Sequence, residues 1–427
     1  MEYRKHTYDS FNIHTIKSDK YKNCHMEIIF RSKVKKEDYT KHLFLFELLL
    51  ESNKEYDTFS KLAIQCEDMY SYQLNTSVGR TGNYLFGSII ADFINPKYVD
   101  ESLLESFISF PFSLIFNPNI KGDAWDENSF NITKNKIKQR IASDKERVQN
   151  YALNRLRNIM APDKPISIIT SGYMDDLENI TKTNIVSFYN YVLRNYYCDV
   201  FIYGNLDMNV VTKIILSKNE LNSIKTSDLG NIFINIPSVK KVNRCSEYSK
   251  ITQSIYLEGY TLDNLSDREK NYVLPIFNQI FGEGSLNSKL FTIVREENSL
   301  CYSIRSLYMK VDGLLIVYTQ IESSSEDKVS KLIGKCLKEM TNGNFTEDDI
   351  KNAKSAFINS LNLIFDSESR TIDYYYFKEL VNNDSLDKRI LEFKSVTKEE
   401  IMNVAKKIKL NTTYILGNKG DNNGREN

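Results

Sequence analysis

Histidine is scarce in this chain, and with it most of the chemistry that depends on an imidazole. His6, His14, His25 and His42 are the four histidines of 427 residues. His-dependent catalysis or metal binding must therefore come from the N-terminal end or from another chain. Proline (7) and tryptophan (1) are also few. Cysteine is spread thinly: Cys24, Cys66, Cys198, Cys245, Cys301 and Cys336 form no C-x-x-C pair. That spacing argues against a zinc ribbon or a redox motif and fits scattered buried thiols in a reducing compartment. Excess charge is absent too, since Lys+Arg and Asp+Glu both number 56. A nucleic-acid binder usually carries a basic excess or patch. No apolar run approaches the roughly 18 residues needed to span a bilayer. The N-terminal MEYRKHTYDSF holds no apolar signal core. The expectation is a cytoplasmic protein with no membrane span and no nucleic-acid partner.

What is present is an ordinary core-forming composition, 41% hydrophobic and 26% charged. With domains of about 100–200 residues, two to four are expected. FNIHTIKS and CHMEIIFRS alternate like strands and read as a hairpin. HLFLFELLLE and DTFSKLAIQCEDM read as helices, and SYQLNTSV with NYLFGSIIADFI as a second hairpin. A long polar helix is predicted over about 127–160, with Ile132, Ile137, Ile141, Val148, Leu153 and Leu156 at helical spacing. Thr181 reads as an N-cap. CDVFIYGNLD reads as a buried strand, and CYSIRSLYMK with GLLIVYTQIE as a hairpin around Asp312–Gly313.

The scheme occurs twice. DLENITKTNI ends at Ile185 and LEFKSVTKEEI at Ile401, which aligns Ile180 with Val396 and Thr181 with Thr397. Each leads through a helix to a strand ending Gly-Asn, at Gly204–Asn205 and Gly417–Asn418. Thr397 lies 216 positions after Thr181, and Gly417 lies 213 after Gly204. Such a pair of anchors indicates duplication of one α+β unit. The polar, weakly periodic stretch 217–248 is the expected linker and entry to the second half. It separates an N-terminal domain (1–216) from a C-terminal one (249–427).

The stretch FGEGSLNSKLFTIVREENSLCYSIRS, Phe281–Ser306, carries the most pointed chemistry. Arg295 lies in its helical part and Tyr302 follows seven positions later. An Arg beside a Tyr can hold a substrate carbonyl and donate hydrogen bonds to a developing oxyanion. The bland alternative is a salt bridge and a core tyrosine. Gly282, Gly284 and Ser285 read as a turn, with a substrate loop as the functional alternative. His42 and His25 read as buried structural histidines. Glu47 and Glu51, four apart on one helix, read as a solvated edge.

These duplicated halves, with GEGSLNSKLFTIVREENSLCYSI in the second, resemble the pitrilysin/insulinase family of zinc peptidases, whose motif is H-x-x-E-H. The resemblance covers essentially the whole chain. It implies an α+β fold of two homologous halves, each a mainly antiparallel sheet covered by helices, facing each other across a central cavity. It also implies that Arg295 and Tyr302 match a substrate-binding Arg and Tyr of the family. An edge strand in NTSVGRTGNYL would match one that pairs with extended substrate.

The zinc site departs from the pattern. From His42 the chain reads His42-Leu43-Phe44-Leu45-Phe46, without the Glu and second His. A shifted register offers Leu43, Phe46 and Glu47, and the expected third ligand falls among Lys138, Gln139 and Arg140. A catalytic zinc needs three protein ligands and an open position. The expectation is no metal on this chain and no independent activity. The chain would be the non-zinc subunit of a heterodimeric metalloendopeptidase, possessing Arg295 and Tyr302 while a homologous H-x-x-E-H subunit carries zinc, with a role in peptide maturation. The alternatives are a structural or assembly homologue, and a peptide-binding protein that does not cut.

Overall fold

The structure, a computed structural model, describes residues 1–224, 229–283, 286–381 and 384–418. Its contacts divide the chain into two units. Unit 1 comprises 1–143, 169–232 and 368–373; unit 2 comprises 144–168, 233–367 and 374–427.

In unit 1 the strands β1 (Glu2–Thr7), β2 (Phe11–Lys17), β3 (Asn23–Lys33), β4 (Gln73–Thr81), β5 (Tyr84–Ile94) and β8 (Tyr197–Gly204) form one sheet. Its order is β1-β2-β8-β3-β5-β4. A two-stranded ribbon, β6 (Ile120–Lys121) and β7 (Ala124–Trp125), stands apart from it. The alternation of β3 sends Cys24, Met26, Ile28 and Phe30 into the apolar core, where they meet Leu43, Phe46 and Phe107. Phe46 comes from α1 (Lys36–Leu49) and Phe107 from α3 (Leu104–Phe116). Helix α1 reaches the sheet because Gly87 has no side chain. A Cβ there would lie 2.3 Å from the Phe46 ring and 2.6 Å from His42 Nε2. The predicted hairpin of β2 with β3 does not form. β8 lies between them, parallel to β2 and antiparallel to β3. The polar break between β2 and β3 is a crossing over one strand, which alternation alone cannot distinguish from a turn.

Unit 2 repeats the plan. Its strands are β9 (Asn243–Ser249), β10 (Ser254–Leu262), β11 (Ile304–Met309), β12 (Leu314–Ile321) and β13 (Ile408–Asn418). Read from the opposite edge their order is β9-β13-β10-β12-β11, which matches β2-β8-β3-β5-β4 strand for strand. The parallel pair recurs as well, β13 with β9. Helices α7 (Lys182–Asn195) and α14 (Lys398–Ala405) both begin with a capping box, on Thr181–Asn184 and Thr397–Glu400. Gly204 and Gly417 both belong to the strands that follow.

A further anchor of the duplication is Ser60-Lys61-Leu62 against Ser288-Lys289-Leu290, 228 positions on. Both copies end in the same wrapped turn. The Tyr72 amide donates to the Cys66 carbonyl and the Leu300 amide to the Val294 carbonyl. Ser71 and Ser299 take positive φ, 59° and 51°.

The long polar helix is two helices, α4 (Glu127–Glu146) and α5 (Val148–Met160), broken at Arg147. Ile137 and Ile141 join the unit 1 core, whereas Ala152, Leu156 and Met160 join a cluster in unit 2 with Leu257, Ile316 and Tyr414. The bare backbone of Gly259 receives Met160, whose sulfur would stand 2.2 Å from an added Cβ. Within 217–248 the described residues are structured on both sides of the unit boundary at 232/233. Leu221 and Ile224 are in the unit 1 core, Ile234 and Ile236 pack in unit 2, and Asn243–Ser249 is a strand.

Candidate functional site

In unit 2, helix α9 (Leu274–Phe281) ends at Gly282. The Gly282 carbonyl accepts a 2.8 Å hydrogen bond from the Ser306 amide on the edge strand β11. A side chain at 282 would meet Leu290 Cδ1 at 2.5 Å and Ser306 Oγ at 2.8 Å, so this glycine is required for close packing. Ser306 Oγ donates to Asn278 Oδ1 (2.6 Å), and Asn278 Nδ2 donates to Glu283 (3.2 Å). Burial raises the Glu283 pKa, with the Asn278 bond opposing it. Gly284 and Ser285 lie outside the described residues.

The chain then winds as a π-helix over Phe291–Glu296. Its wide turn places the Arg295 guanidinium carbon 4.4 Å from the Phe291 ring centroid and 5.4 Å from that of Tyr302. Glu296 lies 3.4 Å from Arg295 Nη1. The Arg295 side chain is one-third exposed, whereas Tyr302 is 80% exposed, ahead of β11. The two residues singled out in the sequence are thus neighbours, and both present donors to solvent. Cys301 beside them has its thiol pKa raised by burial, with Thr319 and Arg295 opposing. Phe291 and the π-helical winding were not anticipated. The only sequence signal was the SKL repeat, which marks the segment as a duplicate without showing its winding.

In unit 1 the side chains expected at the zinc position form a dry, crowded wall. His42 is fully buried, 4.8 Å from the Phe46 ring and 5.4 Å from the Tyr196 ring. Burial lowers its pKa to about 3, only partly offset by the Phe86 backbone. Leu43 and Phe46 are core residues. Glu47 on α1 pairs with Arg140 at 3.2 Å, and Glu51, just past the end of α1, pairs with Lys136; both cations come from α4. Glu51 is 3% exposed, so it is a buried ion-pair partner rather than a solvated edge. This set supplies one imidazole, no second histidine, and two carboxylates already held by cations. Zinc requires three converging donors with an open position, and these residues do not fit it. Among the described residues no cluster of His, Cys, Asp and Glu suits a metal ion.

His25 is in a strand as expected, with charged partners. Its Nδ1 meets Asp92 at 2.6 Å and its Nε2 meets Glu27 at 2.9 Å. Burial alone would lower its pKa, but the two carboxylates outweigh it and raise the value to about 9. The strand β4 in NTSVGRTGNYL is the edge of its sheet, paired only with β5.

The described residues thus form a duplicated α+β fold in which Arg295 and Tyr302 are neighbours in the second half and the first half has no set of side chains that fits zinc. Residues 179–357 match the family described as the peptidase M16 inactive domain. The match includes both Arg295 and Tyr302. The probable inactive metalloprotease YmfF of Bacillus subtilis is 25% identical over 417 residues, spanning 96% of this chain and 97% of that protein. In structure, a conserved protein from Enterococcus faecalis superposes with a TM-score of 0.90 at 24% identity, covering 98% of this chain and 99% of its own. A peptidase M16 inactive domain from Pseudomonas fluorescens gives 0.75 at 15% identity, covering 98% of each chain. No helix among the described residues is long and apolar enough to cross a membrane.

Proposed function

We propose that this chain is the non-zinc subunit of a two-chain zinc endopeptidase acting on peptides in the cytoplasm. The observation that supports this most is that Arg295 and Tyr302 are close and accessible, while no cluster among the described residues suits a metal ion. In this reading zinc on a homologous H-x-x-E-H subunit supplies the activated water. The Arg295 guanidinium binds and orients a substrate carbonyl through its fixed fork of N–H donors. The Tyr302 hydroxyl donates to the oxygen on which charge develops as the peptide carbon becomes tetrahedral.

The test is a peptidase assay on an H-x-x-E-H homologue from the same genome, with and without this chain. Activity only in the mixture is expected, with a loss of roughly 10²-fold or more for Arg295→Ala or Tyr302→Phe, the scale for an oxyanion donor. Stoichiometric zinc and cleavage by this chain alone would overturn the reading. So would a partner equally active alone.

A second reading is a homologue that binds peptide or assembles without cutting. It draws on the near full-length likeness to a protein described as a probable inactive metalloprotease. Peptide binding with no cleavage in any mixture would favour it.

A further inference from the structure

The duplication allows the Arg295 region to be compared with its own copy. At an offset of 228, Phe291, Arg295 and Tyr302 stand where unit 1 has Ala63, Glu67 and Leu74. Leu62 to Tyr72 and Leu290 to Leu300 contain the same number of residues, and both end in the same wrapped turn. The windings differ: the first copy is the α-helix α2 (Phe59–Asp68), the second a π-helix. The wider turn is therefore not an inserted residue accommodated in passing. Single π turns inside helices are uncommon and concentrate at functional sites.

Phe291 is 9% exposed, and among the described residues it lies outside the apolar cluster that takes its neighbours Leu290, Ile293 and Val294. Its ring instead lies 4.4 Å from the Arg295 guanidinium. Tyr302 in turn, 80% exposed, has its ring contact with that same guanidinium. An exposed tyrosine ring takes its orientation from the groups it touches, and among the described residues Arg295 is one of them. A long arginine keeps one rotamer only if something holds it.

We propose that Phe291 is a positioning residue: its ring fixes the Arg295 guanidinium, and through it Tyr302, at the site proposed above. This rests on that reading for its function, but not for its test. Phe291 touches no reacting atom. It sets the direction of the two groups that do.

The test uses the full chain carrying 3-fluorotyrosine. The Tyr302 resonance is assigned by its loss in Tyr302→Phe. Phe291→Leu keeps an apolar side chain and removes the ring face. It is expected to move the Tyr302 fluorine resonance toward its denatured position, and Phe291→Tyr to restore it. Arg295→Gln, which leaves Phe291 in place, is expected to produce the same displacement, so the inference stays testable should Phe291→Leu misfold. In the two-chain assay Phe291→Leu should lower kcat by about 2–5-fold with KM little changed, the factor equivalent to one exposed cation–π contact. A Tyr302 resonance unmoved by either Phe291→Leu or Arg295→Gln overturns the inference. A moved resonance with no cleavage in any mixture leaves the positioning intact and sinks the peptidase reading instead.

Discussion

Arg140 on α4 reaches Glu47 on α1 at 3.2 Å, at the helix pair where the family would gather zinc ligands. One turn away Lys136 pairs with Glu51. The two pairs differ in burial, and this predicts different contributions. Glu47 and Arg140 are one-third and one-half exposed, so Arg140→Met should cost less than about 1 kcal/mol. Glu51 is 3% exposed, and Lys136→Met would leave it charged and buried, at about 1–3 kcal/mol. Urea unfolding of both variants measures this. Equal effects would refute the distinction.

His25 makes the stability of unit 1 depend on pH. Its folded pKa, about 9, lies above the ordinary imidazole value of 6.5. Its contribution is therefore complete below 6.5 and disappears as pH rises through about 9. The groups facing it are Asp92, Glu27 and, from 368–373, Asp373, whose own pKa is raised by burial and then by Glu27. Wild type should lose on the order of 3 kcal/mol between the two values. His25→Gln should be less stable at pH 6.5 and show little of that slope. Parallel slopes in urea titrations of both proteins would rule the clasp out.

Glu258, on β10 in unit 2, is a buried carboxyl that accepts hydroxyl protons from Tyr256 (2.7 Å), Tyr260 and Ser330 (2.8 Å). Burial raises its pKa more than these donors lower it. The neutral form is favoured in the folded state, so the group favours folding at low pH and ceases to do so as pH rises through its folded value. Glu258→Gln cannot titrate. Its stability relative to wild type should improve as pH rises from the ordinary carboxyl value toward the raised one. A difference independent of pH would show that folding does not raise this carboxyl's pKa.

Gly282 predicts a steric effect without backbone strain, since its φ of −172° is ordinary extended backbone. Gly282→Ala drives a methyl into Leu290 and Ser306. The expected loss is about 1–3 kcal/mol in unit 2, as for overpacking. Faster amide exchange at Ser306 should accompany it, because that amide bonds to the Gly282 carbonyl. Unchanged exchange at Ser306 would mean the loop is not held there.

What could be read without coordinates was local. Thr181 and Thr397 declare their helices because a capping hydroxyl and a residue three positions on act within one turn. The turn at Asp312–Gly313 is equally local: Gly313 takes φ 67°, and β11 and β12 pair on either side of it. The unsuitability of α1 for zinc is a matter of residue identity. Arg295 and Tyr302 were legible as candidates because their spacing matched a known block.

The sequence by itself determined that this is a duplicated α+β chain with Arg295 and Tyr302 seven positions apart and no H-x-x-E-H motif. Tertiary structure alone decided that β8 enters between β2 and β3, that α5 packs in unit 2, that Glu51 is buried, and that residues 291–296 wind as a π-helix. The physical reason is range. Caps, turns and alternation are set by neighbours along the chain, whereas an apolar or charged side chain states that it needs a partner and leaves the partner to be chosen by residues far away in sequence.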